Sequence, residues 1–129
     1  MKCLSCGYEW KPRQEKPIQC PRCKRPLPSE IVIVSRHPAT IEFLKEKLPN
    51  AKVIEHLNGP DDISFGALVF GNLPLHMVEQ LLQKGCRFIM VSLNIPRELR
   101  GKELSREELE KYIELYEIRR LKLEKFILN

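Results

Sequence analysis

The sequence predicts an α/β protein, a mostly parallel sheet flanked by helices on residues 29–129, behind a small four-cysteine segment at residues 1–28. Three observations lead there. Short β-branched apolar runs recur without polar alternation, the pattern of strands buried on both faces. Each run ends in a polar turn, and twice the next segment opens on proline and continues at helical spacing. Two Cys-x-x-Cys pairs stand together ahead of all these elements.

The cysteine segment comes first in the chain. Cys3-Leu4-Ser5-Cys6, thirteen residues, then Cys20-Pro21-Arg22-Cys23 place two pairs of sulfurs on two tight knuckles. Four thiolates complete a tetrahedral Zn²⁺ shell with no open position for water, so one structural zinc per chain is expected on Cys3, Cys6, Cys20 and Cys23. Two disulfides are the competing reading, disfavoured in an intracellular compartment. So small a segment buries too little to fold alone, and metal binding is expected to fold it. The stretches Cys6 to Arg13 and Cys20 to Lys24 resemble the zinc ribbons fused to many small prokaryotic proteins. Some of those bind nucleic acid and others only dock partners. Tyr8 and Trp10 are expected to pack over the metal; the alternative, with Lys11 and Arg13, is a weak nucleic-acid contact by base stacking. Pro26-Leu27-Pro28 reads as a stiff hinge.

Ile31 to Val34 is the first strand, and it stops at Ser35-Arg36-His37. Pro38 opens an amphipathic helix running to Leu48. A buried strand, a polar turn and a helix N-terminus bind anions readily, because free backbone N–H groups and the helix dipole both favour negative charge. Arg36 adds a cation and His37 a base; the plainer alternative is an ordinary βα turn. Ala51 to Leu57 is a second strand, followed by the loop Asn58-Gly59-Pro60-Asp61-Asp62. Gly66 to Phe70 is a third, turning through Gly71-Asn72-Leu73-Pro74 into a helix with Leu75, Val78, Leu81 and Leu82 that stops at Gly85. Cys86 to Leu93 is the fourth, with Cys86 a small core residue. After the charged loop from Arg97 to Leu104, Ser105 and Glu108 form a capping box. The helix it opens is expected to reach about Phe126, with Leu109, Tyr112, Ile113, Tyr116 and Leu123 on one face. Leu115, Ile118 and Leu121 widen that stripe, which points either to a homodimer or to one thick core.

Right-handed crossovers put the carboxyl ends of the strands on one edge, where open α/β sheets bind ligands. Ser35-Arg36-His37, His56, Gly71-Asn72 and the stretch Ser92 to Asn94 all fall there. No Gly-x-Gly-x-x-Gly and no phosphate-loop motif occurs, so an ordinary dinucleotide or nucleoside triphosphate site is not expected.

Composition narrows the classes further. At 129 residues, 30% charged and 43% hydrophobic, the chain has room for one modest core and an appendage. No stretch approaches the roughly 20 apolar residues of a membrane span. Cysteines occupy the place of a signal peptide's apolar segment, so the expected location is cytoplasmic. Residues 1–28 hold seven Lys or Arg against two Glu, and residues 29–129 hold fifteen of each sign. The formal excess of +5 therefore lies in the cysteine segment, and four zinc-bound thiolates would reduce it. So mild a basic character fits a solvated surface at least as well as nucleic acid.

Four phrases carry a family resemblance: Val-Ser-Arg-His-Pro at 34–38, Glu-His-Leu at 55–57, Gly-Asn-Leu-Pro at 71–74, and Ser-Leu-Asn-Ile-Pro with Arg-Gly-Lys-Glu-Leu within 92–104. In this order and spacing the chain, over about residues 30–115, resembles a small CRISPR-associated family found beside type III systems. The cysteine segment and part of the last helix are additional to that pattern. The resemblance implies a Rossmann-like domain and ring-nuclease activity, the metal-independent cleavage of cyclic tetra-adenylate. It also implies a dimer or larger homo-oligomer around the ring. Such cleavage uses the ribose 2′-hydroxyl as nucleophile and needs in-line geometry, charge stabilisation and proton movement, with no catalytic metal. On this reading the catalytic turn is Ser35, Arg36 and His37. Arg36 meets the phosphoryl oxygens, and His37 carries a proton or orients the 2′-hydroxyl. Gly71, Asn72, Leu73, Ser92 and Asn94 contact the ligand, and Arg97 and Arg100 close over it, with a helix-facing salt bridge the equal alternative for Arg100. His56 is a reserve acid–base group or simply a satisfied strand-end histidine. Two alternatives stand beside this one: a sensor that binds the ring without cutting it, and a zinc-ribbon regulator that binds nucleic acid.

Overall fold

The computed structural model describes residues 3, 6–11, 19–24, 27–101 and 105–128. Arg13, Pro26 of the expected hinge, and Lys102-Glu103-Leu104 of the charged loop lie outside the described residues. In order, the elements are β1 (Ile31–Val34), α1 (Pro38–Lys47), β2 (Lys52–Ile54), β3 (Leu68–Gly71), α2 (Leu75–Gln83), β4 (Arg87–Leu93), α3 (Arg106–Tyr112) and β5 (Ile113–Ile118). Short 3₁₀ turns lie at Pro60–Asp62 and Arg97–Leu99.

The sheet has five strands in the order β2-β1-β3-β4-β5. The first four run parallel, and β5 returns antiparallel to β4. The unalternating runs have the expected cause, since β1, β3 and β4 are covered on both faces. Val32, Val34, Val69 and Phe88 pack with Val78 and Leu81 of α2 on one side. Ile33, Leu68, Phe70, Ile89 and Val91 pack with Leu44 of α1 on the other. Cys86 is buried in the first cluster, as expected of a small core residue.

The last part of the chain departs from expectation. Ser105 accepts the Glu108 amide, and the Glu108 side chain answers the Ser105 backbone, so the capping box forms and starts α3. The helix ends at Tyr112, however, and residues 113–118 form an edge strand rather than continuing to Phe126. A parallel sheet ending at β4 would leave a row of unpaired backbone groups, and β5 satisfies them along Phe88 to Leu93. A two-pronged pair fixes the register: Arg87 Nη2 and Nε lie 2.9 and 3.1 Å from the Glu117 carboxylate. Ile113 and Ile118 go to opposite faces of the sheet, as residues five apart on a strand do. The expected broad helical stripe therefore does not exist. Leu115 and Tyr116 stand exposed on the edge strand, and Leu123 and Phe126 follow it outside any regular element.

Candidate functional site

The parallel register aligns the strand ends that matter. Val34 of β1 lies opposite both Ile54 of β2 and Gly71 of β3, so the chain leaves all three strands in one row. Immediately beyond that row is a cleft of about 530 Å³, lined by Ser35, Arg36, His37, Glu55, His56, Gly71, Asn72 and Leu73 among others. This is the crevice between β1 and β3, the point at which the strand order reverses. Leu57, Met77 and Leu93 give it apolar walls.

Gly71 makes the crevice possible. A Cβ there would stand 2.3 Å from the Val34 carbonyl oxygen, so only glycine lets β3 approach the end of β1 so closely. Ser35 donates its backbone N–H to the Ile54 carbonyl, extending the β1–β2 ladder by one bond. Its hydroxyl oxygen accepts the His37 amide at 3.2 Å, which turns the chain sharply into α1. Arg36 donates Nε to the Glu55 carbonyl at 3.3 Å. The guanidinium thereby links the turn after β1 to the residue after β2.

His37 is the N-cap of α1. Its Nδ1 accepts the Thr40 amide at 3.3 Å and lies 2.8 Å from the Thr40 hydroxyl oxygen. Histidine takes here the place usually held by Ser, Thr, Asp or Asn. Pro38 occupies the first turn, as the sequence predicts.

The remaining expected ligand residues are not among those lining this cleft, although Leu93, between Ser92 and Asn94, is. Gly71 pairs with Met90, so β4 runs on beyond the row of strand ends. Asn94 is four residues further, about 13 Å at ~3.3 Å per residue. Its backbone N–H is held by the Tyr112 carbonyl. Ser92 lies opposite Glu114 in the β4–β5 ladder, and Arg97 and Arg100 follow in and after the 3₁₀ turn. None of these four lines the cleft. Glu55, Thr40 and Met77 do, although the sequence reading did not single them out. Glu55 entered the sequence reading only as part of the phrase Glu-His-Leu at 55–57, without a site role.

The N-terminal cysteines form a second site. The Sγ atoms of Cys3, Cys6, Cys20 and Cys23 all lie within 4.8 Å of one another, and the group could hold a metal ion. Cys3–Cys23 and Cys6–Cys20 are each 3.7 Å apart, far beyond the ~2.05 Å of a disulfide. The two knuckles repeat one turn. Gly7 N–H binds the Cys3 carbonyl and Lys24 N–H binds the Cys20 carbonyl, each at 2.9 Å, and both residues have positive φ. The Tyr8 amide pulls the Cys6 thiol down, but burial and the other three thiols outweigh it and push it up to about 11. Burial raises Cys20, yet the Cys23 and Arg22 amides lower it overall. Four sulfurs packed this closely ionise together only around a cation. Tyr8 and Trp10 stack with ring centroids 6.0 Å apart, and the Arg22 guanidinium lies over Tyr8 at 5.8 Å.

Residues 32–120 match a protein family described as "Putative CRISPR-associated protein". No curated protein and no solved structure matches the chain. Among the described residues, no helix is long and apolar enough to cross a membrane.

Proposed function

The chain belongs to this CRISPR-associated family, and on that premise we propose that it is a ring nuclease cleaving cyclic tetra-adenylate by attack of a ribose 2′-hydroxyl. The observation that carries the reading is the moored Arg36 beside the capping His37, in a crevice onto which the N-terminus of α1 opens. An anion held there meets a fixed guanidinium and the positive end of a helix dipole. The cleft volume of about 530 Å³ lies within the ~300–1,000 Å³ usual for small-ligand sites. Asn72 at its rim offers a donor and an acceptor to ribose or adenine, and Leu57 and Met77 offer apolar contact to a base. The reading includes a Rossmann-like ancestry for the sheet and a second copy of the chain closing over the ring.

In the reaction the 2′-oxygen bonds to phosphorus and the P–O5′ bond breaks. The products are a 2′,3′-cyclic phosphate and a 5′-hydroxyl. Arg36 binds the phosphoryl oxygens and gains strength as their charge grows. With Nδ1 accepting the Thr40 amide, the neutral His37 ring presents Nε2–H, a donor, to the cleft. That favours holding an oxygen in line over carrying the 2′ proton.

At the cysteines we propose structural zinc. Tetrahedral Zn–S bonds of ~2.3 Å set sulfurs ~3.8 Å apart, and the observed 3.7 Å edges agree. Cys3, Cys6, Cys20 and Cys23 would hold the ion, whose closed shell clamps the two knuckles together. The Tyr8–Trp10–Arg22 stack favours a second, separate reading, weak base-stacking contact with single-stranded nucleic acid that declines as salt rises.

The test is incubation with cyclic tri-, tetra- and hexa-adenylate, with and without EDTA. Cleavage of the tetra-adenylate unaffected by chelator, ending in a cyclic phosphate, is expected, and a 2′-methoxy ring should bind uncut. A ring bound tightly and never cut would make the protein a sensor instead.

A further inference from the structure

We infer that His56 is the general base of the cleft, taking the proton of the attacking 2′-hydroxyl. The inference rests on the nuclease reading and adds to it a residue and a direction of proton flow. The helix cap imposes a division of labour. The Thr40 amide occupies the Nδ1 lone pair of His37, so a neutral ring capping α1 carries its proton on Nε2. It can hold an oxygen in the cleft, but it cannot take the 2′ proton through Nε2 without giving up the cap. Another group must take it.

Two other titratable side chains line the cavity, Glu55 and His56. A carboxylate beside the phosphodiester bound at Arg36 would repel it, whereas a neutral imidazole would not. Imidazole as a class is also the better match to a base working near neutral pH. Position favours the same residue. Arg36 Nε is fixed to the carbonyl of Glu55, the residue just before His56. The guanidinium that holds the phosphate is therefore tied to the peptide leading into His56. β2 lies one strand from β1, about 4.8 Å away. The His56 ring forms no hydrogen bond among the described residues, unlike that of His37, so the reading as a satisfied strand-end histidine loses its basis. The charged and titratable groups sharing the cleft with it are Arg36, His37 and Glu55.

The step balances without a co-reactant other than water. As the 2′-oxygen bonds to phosphorus, its proton passes to a ring nitrogen of His56. The P–O5′ bond breaks, the 5′-oxygen takes a proton from water at the open mouth, and His56 returns its own proton to solvent.

The experiment is single-turnover cleavage of cyclic tetra-adenylate across pH, for the wild type, His56→Ala and His37→Asn, with binding measured on the 2′-methoxy ring. Asn at position 37 keeps a capping acceptor, so α1 is not lost with the imidazole. The wild-type rate should rise with pH and then level off. His56→Ala should bind the ring as the wild type does and cut it roughly 100- to 10,000-fold more slowly. Its rate should go on rising with pH, as hydroxide replaces the lost base, and added imidazole should restore part of it. His37→Asn should bind less tightly and keep the levelling profile. Wild-type cleavage by His56→Ala, or loss of the levelling in His37→Asn alone, overturns the inference and leaves the nuclease reading standing. A wild type that binds the ring and never cuts it overturns both.

Discussion

The cysteine site and the strand-end cleft are built on opposite principles. The first is local: two knuckles, each closed by a backbone bond to its first cysteine's carbonyl, carry four cysteines, each within three residues of its neighbour on the knuckle. The second is assembled from residues 35–37, 55–57 and 71–74, which meet only because β2, β1 and β3 are in register. Among the described residues of the cysteine segment only Cys3 and Cys20 are buried, so on the proposed reading the knuckles depend on the metal they bind. The cleft stands on a core buried on both faces and should keep its shape with or without ligand.

That contrast can be broken in three places. The largest effect is expected from Cys20→Ser or from chelation strong enough to strip the metal. Structural Zn²⁺ contributes on the order of 10 kcal/mol to folding small sites, so protection of the Cys3, Gly7 and Lys24 amides should vanish. The thermal midpoint of the sheet should hold within a few degrees; a collapse of both regions together would mean that the knuckles are part of the core. Next is Gly71→Ala, which sets a methyl against the Val34 carbonyl and forces β3 away from β1. A loss of roughly 1–3 kcal/mol in urea unfolding is expected, along with weaker ring binding. The smallest is His37→Ala, which removes the α1 cap at a cost of about 1 kcal/mol, most of it recovered in His37→Asn. Equal stability of the two variants would show that the imidazole cap carries no weight.

The same contrast explains what could be read in advance. Cys-x-x-Cys spacing announces its chemistry within a few residues, and all four expected ligands converge. The strands, α1 and α2 were legible because both-face burial leaves β-branched runs and proline marks the first helical turn. The group Ser35, Arg36, His37, Gly71, Asn72 and Leu73 was legible through the rule that strand ends share an edge. That rule says nothing of how far each strand runs: β4 continues past the others, and its last residue Leu93 lines the cleft whereas Asn94 and Arg97 do not. The end of α3 was missed for a related reason. Ile113-Glu-Leu-Tyr-Glu-Ile118 spaces its acidic residues three apart, as a helix would. What decides for a strand is the open edge of β4 and the Arg87–Glu117 pair, and neither is local. The role of His37 as a cap was hidden as well, because histidine is not among the usual capping residues.

The Nε bond from Arg36 to the Glu55 carbonyl has a consequence for selectivity among basic side chains. A free arginine gives up as much as ~2 kcal/mol of rotamer freedom when it grips a ligand. On the proposed reading the bond to the Glu55 carbonyl, just past β2, removes part of that freedom before an anion binds and biases the plane of the guanidinium. Lysine has no equivalent of Nε and would have to choose between the carbonyl and the ligand. Arg36→Lys would keep the charge and lose the orientation. On the proposed reading, a site anchored in this way would distinguish phosphates by the direction of their oxygens as well as by their charge.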